Sequence, residues 1–516
     1  MEKIEIGKRS LTLSQIHRVV YAQENVELCR EPEYRQKIEK NVSFLLETVR
    51  KPLPIYGTTT GFGASCVRYL SSGHAERLQQ KLIEYHRCGT GPHFSPEQTL
   101  AIMLSRLVSL SRGRSGVRYL LLETLERMIN HRILPLIPSQ GSVGASGDLT
   151  PLAYVAAAME GLGEVLHQGE KMDAKEALHR CEISPLVFGP KEALAVINGT
   201  SVMSAVLALS CLEIEPLCVA SEKMTAMLVQ VLNGHPEAFD PRIHDLKPFS
   251  GQKKTAQAIF KWLENSRLTS DYRKQAAEHL SGPKDAGKLP FQVQDVYSIR
   301  CAPQVIGVVR DVLSIACEWA EKEINSVTDN PLIFEEDQTI LLGGNFYGGY
   351  IAHAADSLKI ALASLSDLAD RQLAIVVDDK FSNKLPSNLV WGEEWVNHGF
   401  KGMQITASAL TAEILKNSAP ASVFSRVTES CNQDKVSMGT IAARDVVWST
   451  EMASKVLAIL GMALCQAIDI REYQDQLSPQ LAEFYQKIRR TSPTLKEDRP
   501  MDREIEEVSR NLRKGM

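Results

Sequence analysis

Three consecutive residues in this chain, Ala145, Ser146 and Gly147, are of the types that can build an electrophile from the backbone itself. The amide nitrogen of Gly147 can attack the carbonyl carbon of Ala145, and loss of two water molecules then leaves a 4-methylidene-imidazole-5-one (MIO) ring. Gly147 has no Cβ to block this attack and can adopt the compressed backbone that it needs. Ser146 supplies the hydroxyl whose loss creates the methylidene carbon. A glycine-rich turn without chemistry is the alternative interpretation.

Six further segments place polar and aromatic residues beside glycine, proline or a turn. In chain order they are YGTTTGFG at 56–63, NGT at 198–200, QDVYSIRCAPQ at 294–304, TDNP at 328–331, GGNF at 343–346 and ESCNQD at 429–434. Each segment alone is a weak signal, because such residues are common in turns and loops. The occurrence of all six segments in this order is a far more specific signal than any one of them.

Taken in this order, the segments resemble those of the aromatic amino acid ammonia-lyase and aminomutase family, which includes the histidine, tyrosine and phenylalanine ammonia-lyases. The resemblance runs from about residue 10 to about residue 495. It implies an MIO cofactor formed autocatalytically from Ala145, Ser146 and Gly147, with no metal and no nucleotide. It also implies a homotetramer in which three subunits build each active site, with the MIO at the ends of long helices.

The resemblance assigns catalytic and carboxylate-binding roles to three residues. Tyr56 matches the base that takes the β-proton, and Tyr297 matches a residue that lines the MIO and assists proton handling. Because an unperturbed tyrosine has a pKa of about 10, we expect a positive environment that lowers the pKa of Tyr56. Arg300 matches the arginine whose planar fork binds the substrate carboxylate. An aromatic anchor of a turn is the alternative role for Tyr56, and a salt bridge is the alternative for Arg300.

Five more positions match substrate-binding residues of the family. Asn198 matches the asparagine that hydrogen-bonds near the MIO and the substrate carboxylate, with an ordinary Asn-Gly turn as the alternative. Gln294 matches a residue beside the MIO, and Phe346 matches an aromatic wall, with a core phenylalanine as the alternative. Lys401 and Glu429 match a lysine and a glutamate near the amine in phenylalanine-lyase-like members.

In this family, the ring of the substrate is recognised mainly at the two positions that match Tyr85 and His86. A histidine can hydrogen-bond a phenol or an imidazole, whereas the leucine of phenylalanine lyases would leave a hydroxyl unpaired at a cost of about 1–3 kcal/mol. His86 therefore disfavours phenylalanine. Tyr85 departs from the commonest pairs and either narrows the pocket or adds a hydroxyl partner. Gln433 stands where histidine lyases have a glutamate, which disfavours histidine.

The sequence therefore favours an ammonia-lyase that converts L-tyrosine to trans-4-coumarate. Three alternatives within the family stay open: a tyrosine or phenylalanine 2,3-aminomutase that gives a β-amino acid, a phenylalanine ammonia-lyase and a histidine ammonia-lyase. A catalytically silent helical assembly protein is a further class. The matched chemical positions disfavour it, because each of them is occupied.

Helical periodicity dominates the chain, and strand signals are few and short. It predicts helices at 78–85, 98–111, 116–130, 202–231, 304–325, 350–376, 404–415 and 446–468. The last five are apolar with sparse charges, which is typical of helices inside a bundle. The predicted fold is mainly α, with a long central helical bundle, a smaller mixed N-terminal region that holds the MIO loop, and the fumarase/aspartase-like architecture that the resemblance implies. We expect domains at 1–200 and 201–470, a helical tail at 471–516, and a mobile loop at 281–290.

Composition narrows the class of protein further. The 516 residues are 44% hydrophobic and 23% charged with a net charge of -4, and no basic block suggests nucleic acid or a membrane surface. The N-terminus has no apolar signal core, and apolar runs such as 456–468 are too short to span a bilayer. The scattered cysteines and histidines show no zinc or redox spacing. We therefore expect a soluble cytoplasmic enzyme for a small aromatic amino acid.

Overall fold

The computed structural model describes residues 3–280, 282 and 287–516. Residues 281 and 283–286 of the predicted mobile loop lie outside these ranges. The secondary structure is mainly helical with a few short strands, so the predicted fold class is confirmed. By packing, the chain divides into two compact units: Met1–Leu212, Ala316–Asp356 and Pro420–Val447 form the first, and Glu213–Ile315, Ser357–Ala419 and Trp448–Met516 form the second. The domain boundaries at 200 and 470 stay a prediction.

The first unit contains short helices and all the strands of the described chain. Its helices are Leu13–Val20, Pro32–Val49, Ala75–His86, Pro96–Leu110, Tyr119–Asn130, Leu149–Met159, Ala174–Arg180 and Glu192–Ile197, with 3-10 turns at Gly63–Val67, Ser72–His74 and Ala421–Phe424. Ile4–Ile6 pairs in parallel with Val26–Leu28. The antiparallel pairs are Thr90–His93 with Pro138–Gln140, Leu134–Pro135 with Glu164–His167, Glu164–His167 with Glu170–Asp173, and Leu332–Phe334 with Thr339–Leu341.

Among its described residues, the second unit has helices and connecting loops but no strands. Its helices are Pro241–Asp245, Ser250–Leu263, Tyr272–His279, Tyr297–Arg300, Lys401–Lys416, Pro479–Thr491 and Asp502–Arg513, with 3-10 turns at Pro236–Phe239, Ser387–Leu389 and Gln474–Gln476. Four long helices contribute residues to both units: Ser201–Leu232, Ala302–Ile324, Gly349–Val377 and Gly439–Arg471. These four are among the apolar helices that the sequence predicts.

Local sequence explains where several helices begin. Pro96–Leu110 starts at a capping box, in which the Ser95 hydroxyl accepts from the backbone N–H of Gln98 while the Gln98 side chain accepts from the N–H of Ser95. Pro96 then occupies the first helical turn, where a proline lacks no needed donor. All eight predicted helices are present, each within three residues of its predicted bounds except for the eighth, Gly439–Arg471, which starts seven residues before its predicted start at 446.

Two helices are longer and more apolar than the sequence analysis allowed. Ser201–Leu232 and Gly439–Arg471 have the length and mean hydropathy to cross a membrane, so the expectation that no apolar run is long enough was wrong. The most apolar 18-residue stretches of these two helices are 72% and 89% buried inside the protein, respectively. Burial of that extent is the behaviour of core helices, whose apolar side chains pack against other helices.

Candidate active site

A cavity of about 610 Å³ lies in the first unit, a volume suited to a small organic ligand. Nine of the predicted site residues line it: Tyr56, Tyr85, His86, Ala145, Ser146, Asn198, Phe346, Glu429 and Gln433. Gly147 is buried directly behind the lining residue Ser146. Segments far apart in the sequence therefore meet at one cavity, as the resemblance implies.

The other four predicted site residues belong to the second unit and do not line this cavity. They are Gln294, Tyr297, Arg300 and Lys401. Gln294 and Arg300 line a different cavity of about 750 Å³ within the second unit. Tyr297 is 71% exposed. That these four complete an active site together with other subunits stays a prediction.

The loop around Ser146 has a strained backbone. Gly144, Ser146 and Gly147 have positive φ values of 73°, 49° and 73°, and Ser146 is not a glycine, so its conformation is costly. A Cβ added at Gly147 would collide with the backbone of Gly199. Only glycine fits at position 147. The tight backbone of this loop, with Ser146 between Ala145 and Gly147, is therefore compatible with formation of the MIO ring.

Hydrogen bonds hold this loop against the segment that starts helix Gly439–Arg471. They join Met438 N to Val143 O at 3.0 Å, Ser437 Oγ to Gly144 O at 3.3 Å, and Thr440 Oγ1 to Ser142 Oγ at 2.9 Å. On the other side, the N–H of Asp148 donates to Gly199 O at 2.8 Å. The loop is thus held by hydrogen bonds on two sides.

Asp148, which the sequence analysis missed, anchors the loop to helix Ser201–Leu232. Its carboxylate accepts from the N–H groups of Val202 and Met203 at 2.9 and 3.0 Å, and from the Thr440 hydroxyl. Burial raises the pKa of Asp148 to about 6, although these donors favour the ionised form. The only sequence signal was its position directly after the Ala-Ser-Gly tripeptide.

Four helix N-termini follow closely on residues that line the cavity. Leu149–Met159 follows Ser146, Ser201–Leu232 follows Asn198, Gly349–Val377 follows Tyr347, and Gly439–Arg471 follows Val436. The first turn of a helix has unpaired N–H groups and a partial positive charge. An anionic group placed directly at such an N-terminus is stabilised.

Tyr56 is held by the loop that it opens. Its phenol oxygen accepts from the N–H of Gly63 at 2.9 Å, which favours the phenolate. Burial nevertheless raises the pKa of Tyr56, and the Glu429 carboxylate raises it further. Within the single chain the pKa of Tyr56 is therefore shifted upward, opposite to the lowering that the sequence analysis expects. Glu429 itself accepts from the N–H of Ala64 with both oxygens, at 3.0 and 2.9 Å.

The Tyr56 loop is closed by buried threonines. The Thr59 hydroxyl accepts from the N–H of Ile55 at 2.8 Å and donates to Leu53 O at 3.0 Å. The Thr60 hydroxyl accepts from Gly57 N at 3.2 Å. These bonds satisfy buried backbone groups at the turn, so the loop presents Tyr56 in one conformation.

At the part of the cavity predicted to hold the substrate ring, one hydrogen bond determines the tautomer of His86. Its Nδ1 lies 3.0 Å from Leu82 O, and because a carbonyl only accepts, Nδ1 must carry the hydrogen. Burial lowers the pKa of His86, although the bond to Leu82 opposes this shift. Neutral His86 therefore has Nε2 as a hydrogen-bond acceptor. The Tyr85 ring is 55% exposed and lies 4.3 Å from the His86 ring.

Asn198 is 2% exposed and belongs to a buried polar cluster that the sequence analysis did not assign. Its Nδ2 donates to Asp329 Oδ1 at 3.0 Å and to Asn330 O at 2.9 Å. Asp329 pairs with Lys191, and Arg106 lies fully buried nearby with a hydrogen bond to Ala195 O at 2.7 Å. The TDNP segment at 328–331 was the one sequence motif that pointed to this cluster. It contains Asp329, and a buried acidic residue needs a charged or hydrogen-bonding partner.

In the ranges that the structure describes, His, Cys, Asp and Glu side chains form no group of three or more that could hold a metal ion. The polar groups at the cavity are instead amides, hydroxyls, the His86 imidazole, the Glu429 and Asp434 carboxylates and the Lys435 ammonium. They can bind and orient a polar organic molecule and move a proton.

Known proteins match this chain over almost its whole length. A family model described as aromatic amino acid lyase matches residues 11–490. A histidine ammonia-lyase of Geobacillus thermodenitrificans is 37% identical over 98% of this chain and 96% of its own. A tyrosine ammonia-lyase of Cereibacter sphaeroides is 36% identical over the same shares.

A third relative has a different activity in its name. An MIO-dependent tyrosine 2,3-aminomutase of Streptomyces globisporus is 37% identical over 99% of this chain and 95% of its own. A crystal structure of tyrosine aminomutase from the same organism matches with a TM-score of 0.95 and 36% identity, over 100% of this chain and 97% of the other. Members of this family generally depend on MIO. The chain therefore belongs to the aromatic amino acid lyase family, and it is a carbon–nitrogen lyase.

Proposed function

We propose that this enzyme eliminates ammonia from L-tyrosine to give trans-4-coumarate. Relatives named for histidine and for tyrosine have nearly the same identity to this chain, 37% and 36%, so overall similarity does not choose the substrate. The observation that carries the proposal is the acceptor nitrogen of His86 at the cavity.

A phenol donates the hydrogen bond that His86 Nε2 accepts. Nδ1 is committed to Leu82 O, and the lowered pKa keeps the imidazole neutral near neutral pH. Phenylalanine has no donor on its ring, so it leaves this half-buried acceptor unpaired at a cost of about 1–3 kcal/mol. That cost corresponds to a preference for tyrosine of about 5-fold to about 150-fold.

Histidine also has a ring N–H, so a second observation is needed to disfavour it. Gln433 lines the cavity with a neutral amide, and its Oε1 already accepts from the Thr428 hydroxyl at 2.8 Å. A carboxylate there would stabilise a positively charged imidazole, and an amide does not. His86 together with Gln433 thus supports a phenol rather than an imidazole.

In the proposed reaction, Ala145, Ser146 and Gly147 hold the MIO, which supplies the electrophile that eases departure of the amine. Tyr56 takes the β-proton of the substrate as the general base. Its Gly63 N–H contact stabilises the phenolate, whereas burial raises the pKa of its phenol. Phe346 forms one wall for the substrate ring, and Glu429 lies near the amine.

The remaining site residues are proposed to act in a homotetramer that shares its active sites. Arg300 would bind the substrate carboxylate, Tyr297 would assist proton handling, and Gln294 and Lys401 would complete the site. Large apolar side chains on second-unit helices support assembly: Val308, Ile315, Ile360 and Ile405 are between 47% and 66% exposed. We propose that they form one contiguous patch, since a patch of this kind marks a protein–protein contact. We also propose a cytoplasmic location.

Tyrosine 2,3-aminomutase is the second candidate, because the Streptomyces globisporus protein of that name matches at 37% identity and a tyrosine aminomutase structure at a TM-score of 0.95. It has the same substrate, so His86 supports both candidates equally. The two activities differ in whether ammonia leaves or returns to the β-carbon.

One incubation separates these candidates. Purified enzyme receives equimolar L-tyrosine, L-phenylalanine and L-histidine, and products are followed by liquid chromatography with mass spectrometry. We expect 4-coumarate and ammonia as the main products, and none from a Ser146→Ala control. Accumulation of β-tyrosine would instead establish the mutase, and cinnamate or urocanate as the main product would overturn the substrate assignment.

A further inference from the structure

One carboxylate of the second unit joins two segments of the chain and has no role in the proposed chemistry. Asp295 lies between Gln294 and the short helix Tyr297–Arg300, and its side chain is only 9% exposed. Its Oδ2 accepts from the backbone N–H of His235 at 2.7 Å. His235 follows closely on the end of helix Ser201–Leu232. Asp295 therefore ties the segment that carries three predicted site residues to the turn after this long helix.

The turn after the helix is shaped to receive this carboxylate. Gly234 has no side chain, and a Cβ at this position would lie 3.0 Å from Asp295 Oδ2 and 3.1 Å from Oδ1. The glycine thus permits the close approach of the carboxylate to the backbone. The His235 imidazole adds a contact, with Nδ1 3.5 Å from Asp295 Oδ1, and this contact raises the pKa of His235 although burial opposes the shift. Backbone and imidazole together hold the Asp295 carboxylate in one place.

The backbone of the same residue holds the guanidinium of Arg300. Asp295 O accepts from Arg300 Nε at 3.0 Å, and both residues line the cavity of about 750 Å³ in the second unit. Because Nε is occupied, a carboxylate can form a bidentate contact only with Nη1 and Nη2, the end of the guanidinium fork. The direction of that end depends on where Asp295 O lies, and the anchored side chain of Asp295 fixes that position.

We infer that Asp295 is a positioning residue, whose anchored side chain sets the direction in which Arg300 presents its guanidinium to the substrate carboxylate. The inference rests on the proposed function, in which Arg300 binds that carboxylate, and it adds the residue that orients the arginine. Asp295 acts through Arg300 and not by contact with the substrate. Loss of the anchor should therefore weaken the binding of ligands that have a carboxylate and spare ligands that lack one.

Two variants disturb the anchor in different ways. Asp295→Ala removes the carboxylate and keeps the backbone carbonyl that accepts from Arg300. Gly234→Ala keeps the carboxylate but places a Cβ 3.0 Å from it, so the carboxylate has to shift. Asp311→Ala is the matched control, because the Asp311 carboxylate also accepts from a backbone N–H, that of Gly251, at 2.7 Å. Melting temperatures show whether the three variants are folded to a similar extent.

Two ligands report on the carboxylate contact, with inhibition constants measured against L-tyrosine turnover by the assembled enzyme. Tyramine lacks the carboxylate, and 3-(4-hydroxyphenyl)propanoate keeps the carboxylate and lacks the amine. We expect Asp295→Ala to bind the propanoate about 10-fold more weakly and tyramine within about 2-fold of wild type, with a rise in KM for L-tyrosine that exceeds the fall in kcat. Gly234→Ala should show the same selectivity with a smaller loss. Equal weakening of both ligands by Asp295→Ala, or the same selective loss in Asp311→Ala, would overturn the inference.

A crystal structure of Asp295→Ala tests the positioning independently of turnover. We expect the Arg300 guanidinium to point in a new direction, without the bond from Nε to the carbonyl of residue 295. A wild-type enzyme without tyrosine turnover would refute the proposed function, whereas an unchanged guanidinium in the variant would refute the role of Asp295. If Asp295→Ala does not fold, Gly234→Ala takes its place in both experiments, with the same expectations.

Discussion

The two groups of predicted site residues differ in how firmly this chain holds them. Around the first-unit cavity, Asn198 is 2% exposed, Asp148 is fully buried, and the loop with Ser146 is bonded on two sides. In the second unit, Tyr297 is 71% exposed and stacks with the Arg300 guanidinium, whose carbon lies 4.3 Å from the ring centroid. Arg300 Nε donates to Asp295 O at 3.0 Å.

The charges of the two groups differ in the same way. Glu429 lies near Tyr56 and raises its pKa, whereas the predicted cations Arg300 and Lys401 belong to the second unit. We infer that a single chain preorganises the first-unit half of the site, which forms the electrophile and binds the substrate ring. The half that carries the predicted cations Arg300 and Lys401 would then depend on assembly. Preorganised groups need no rearrangement during the reaction, which is the main source of electrostatic catalysis.

The largest expected effect is at the centre of the preorganised half. Ser146→Ala removes the hydroxyl whose loss creates the methylidene carbon, so activity should fall below detection. Intact mass spectrometry should show the mutant at its full sequence mass and the wild type two waters lighter. Ser142→Ala is the matched control, since Ser142 lies in the same loop and bonds Gly144 N at 3.2 Å. Loss of two waters from the Ser146→Ala chain would contradict the cofactor proposal.

Tyr56→Phe should lower kcat by about 10²-fold to about 10⁴-fold, the usual contribution of a general base. In the wild type the base is active only when deprotonated. Because the pKa of Tyr56 is raised, kcat/KM should rise with pH between about pH 7 and about pH 10. The residual activity of Tyr56→Phe should lack this rise. A flat wild-type profile would show either another base or a cation that strongly lowers the pKa.

Mixing variants tests whether the second group acts across subunits. Arg300→Ala should lower kcat/KM by about 10²-fold, because a charge-assisted contact to the carboxylate is lost. If sites are shared, refolding Ser146→Ala with Arg300→Ala chains in equal amounts should restore about one quarter of wild-type activity, since random mixing leaves that share of sites intact. Mixed oligomers verified by mass that stay inactive would place both residues in a site within one chain.

The ring end offers a smaller change in specificity. His86→Leu removes the acceptor that pairs with the phenol, so the ratio of kcat/KM for tyrosine over phenylalanine should fall by about 10-fold to about 100-fold. Tyr85→Phe is the control, because it removes a hydroxyl at the neighbouring position and keeps the ring. If that control changes the ratio and His86→Leu does not, Tyr85 is the residue that reads the hydroxyl.

The helices and one half of the site could be predicted from the sequence, for different reasons. Gly349–Val377 and Ala302–Ile324 were foreseen within two residues because long apolar periodicity depends on local sequence. Seven of the nine cavity residues lie in the ordered motifs, and Tyr85 and His86 were named from the family resemblance alone. Asp148, Lys191 and Asp329 were missed, because a buried charge is recognised only when its partner is known. Within the single chain the pKa of Tyr56 is raised, not lowered, since it depends on burial and on Glu429, which is distant in sequence.

The smallest expected effect concerns the turn that holds Tyr56. It tests how much the stability of the first-unit half of the site depends on the hydrogen bonds of this turn. Thr59→Ala removes the hydroxyl that pairs with Ile55 N–H and Leu53 O, and it leaves these groups without that partner in a buried turn. The free energy of unfolding should fall by about 1–2 kcal/mol, with kcat lowered only a few-fold. Thr59→Asn restores a side chain that both accepts and donates, so it should recover most of the loss. Chemical denaturation measures the change. Equal stability of Thr59→Ala and the wild type would show that the loop around Tyr56 is held by its other contacts, including the bond from Gln79 to Gly57 O at 2.9 Å.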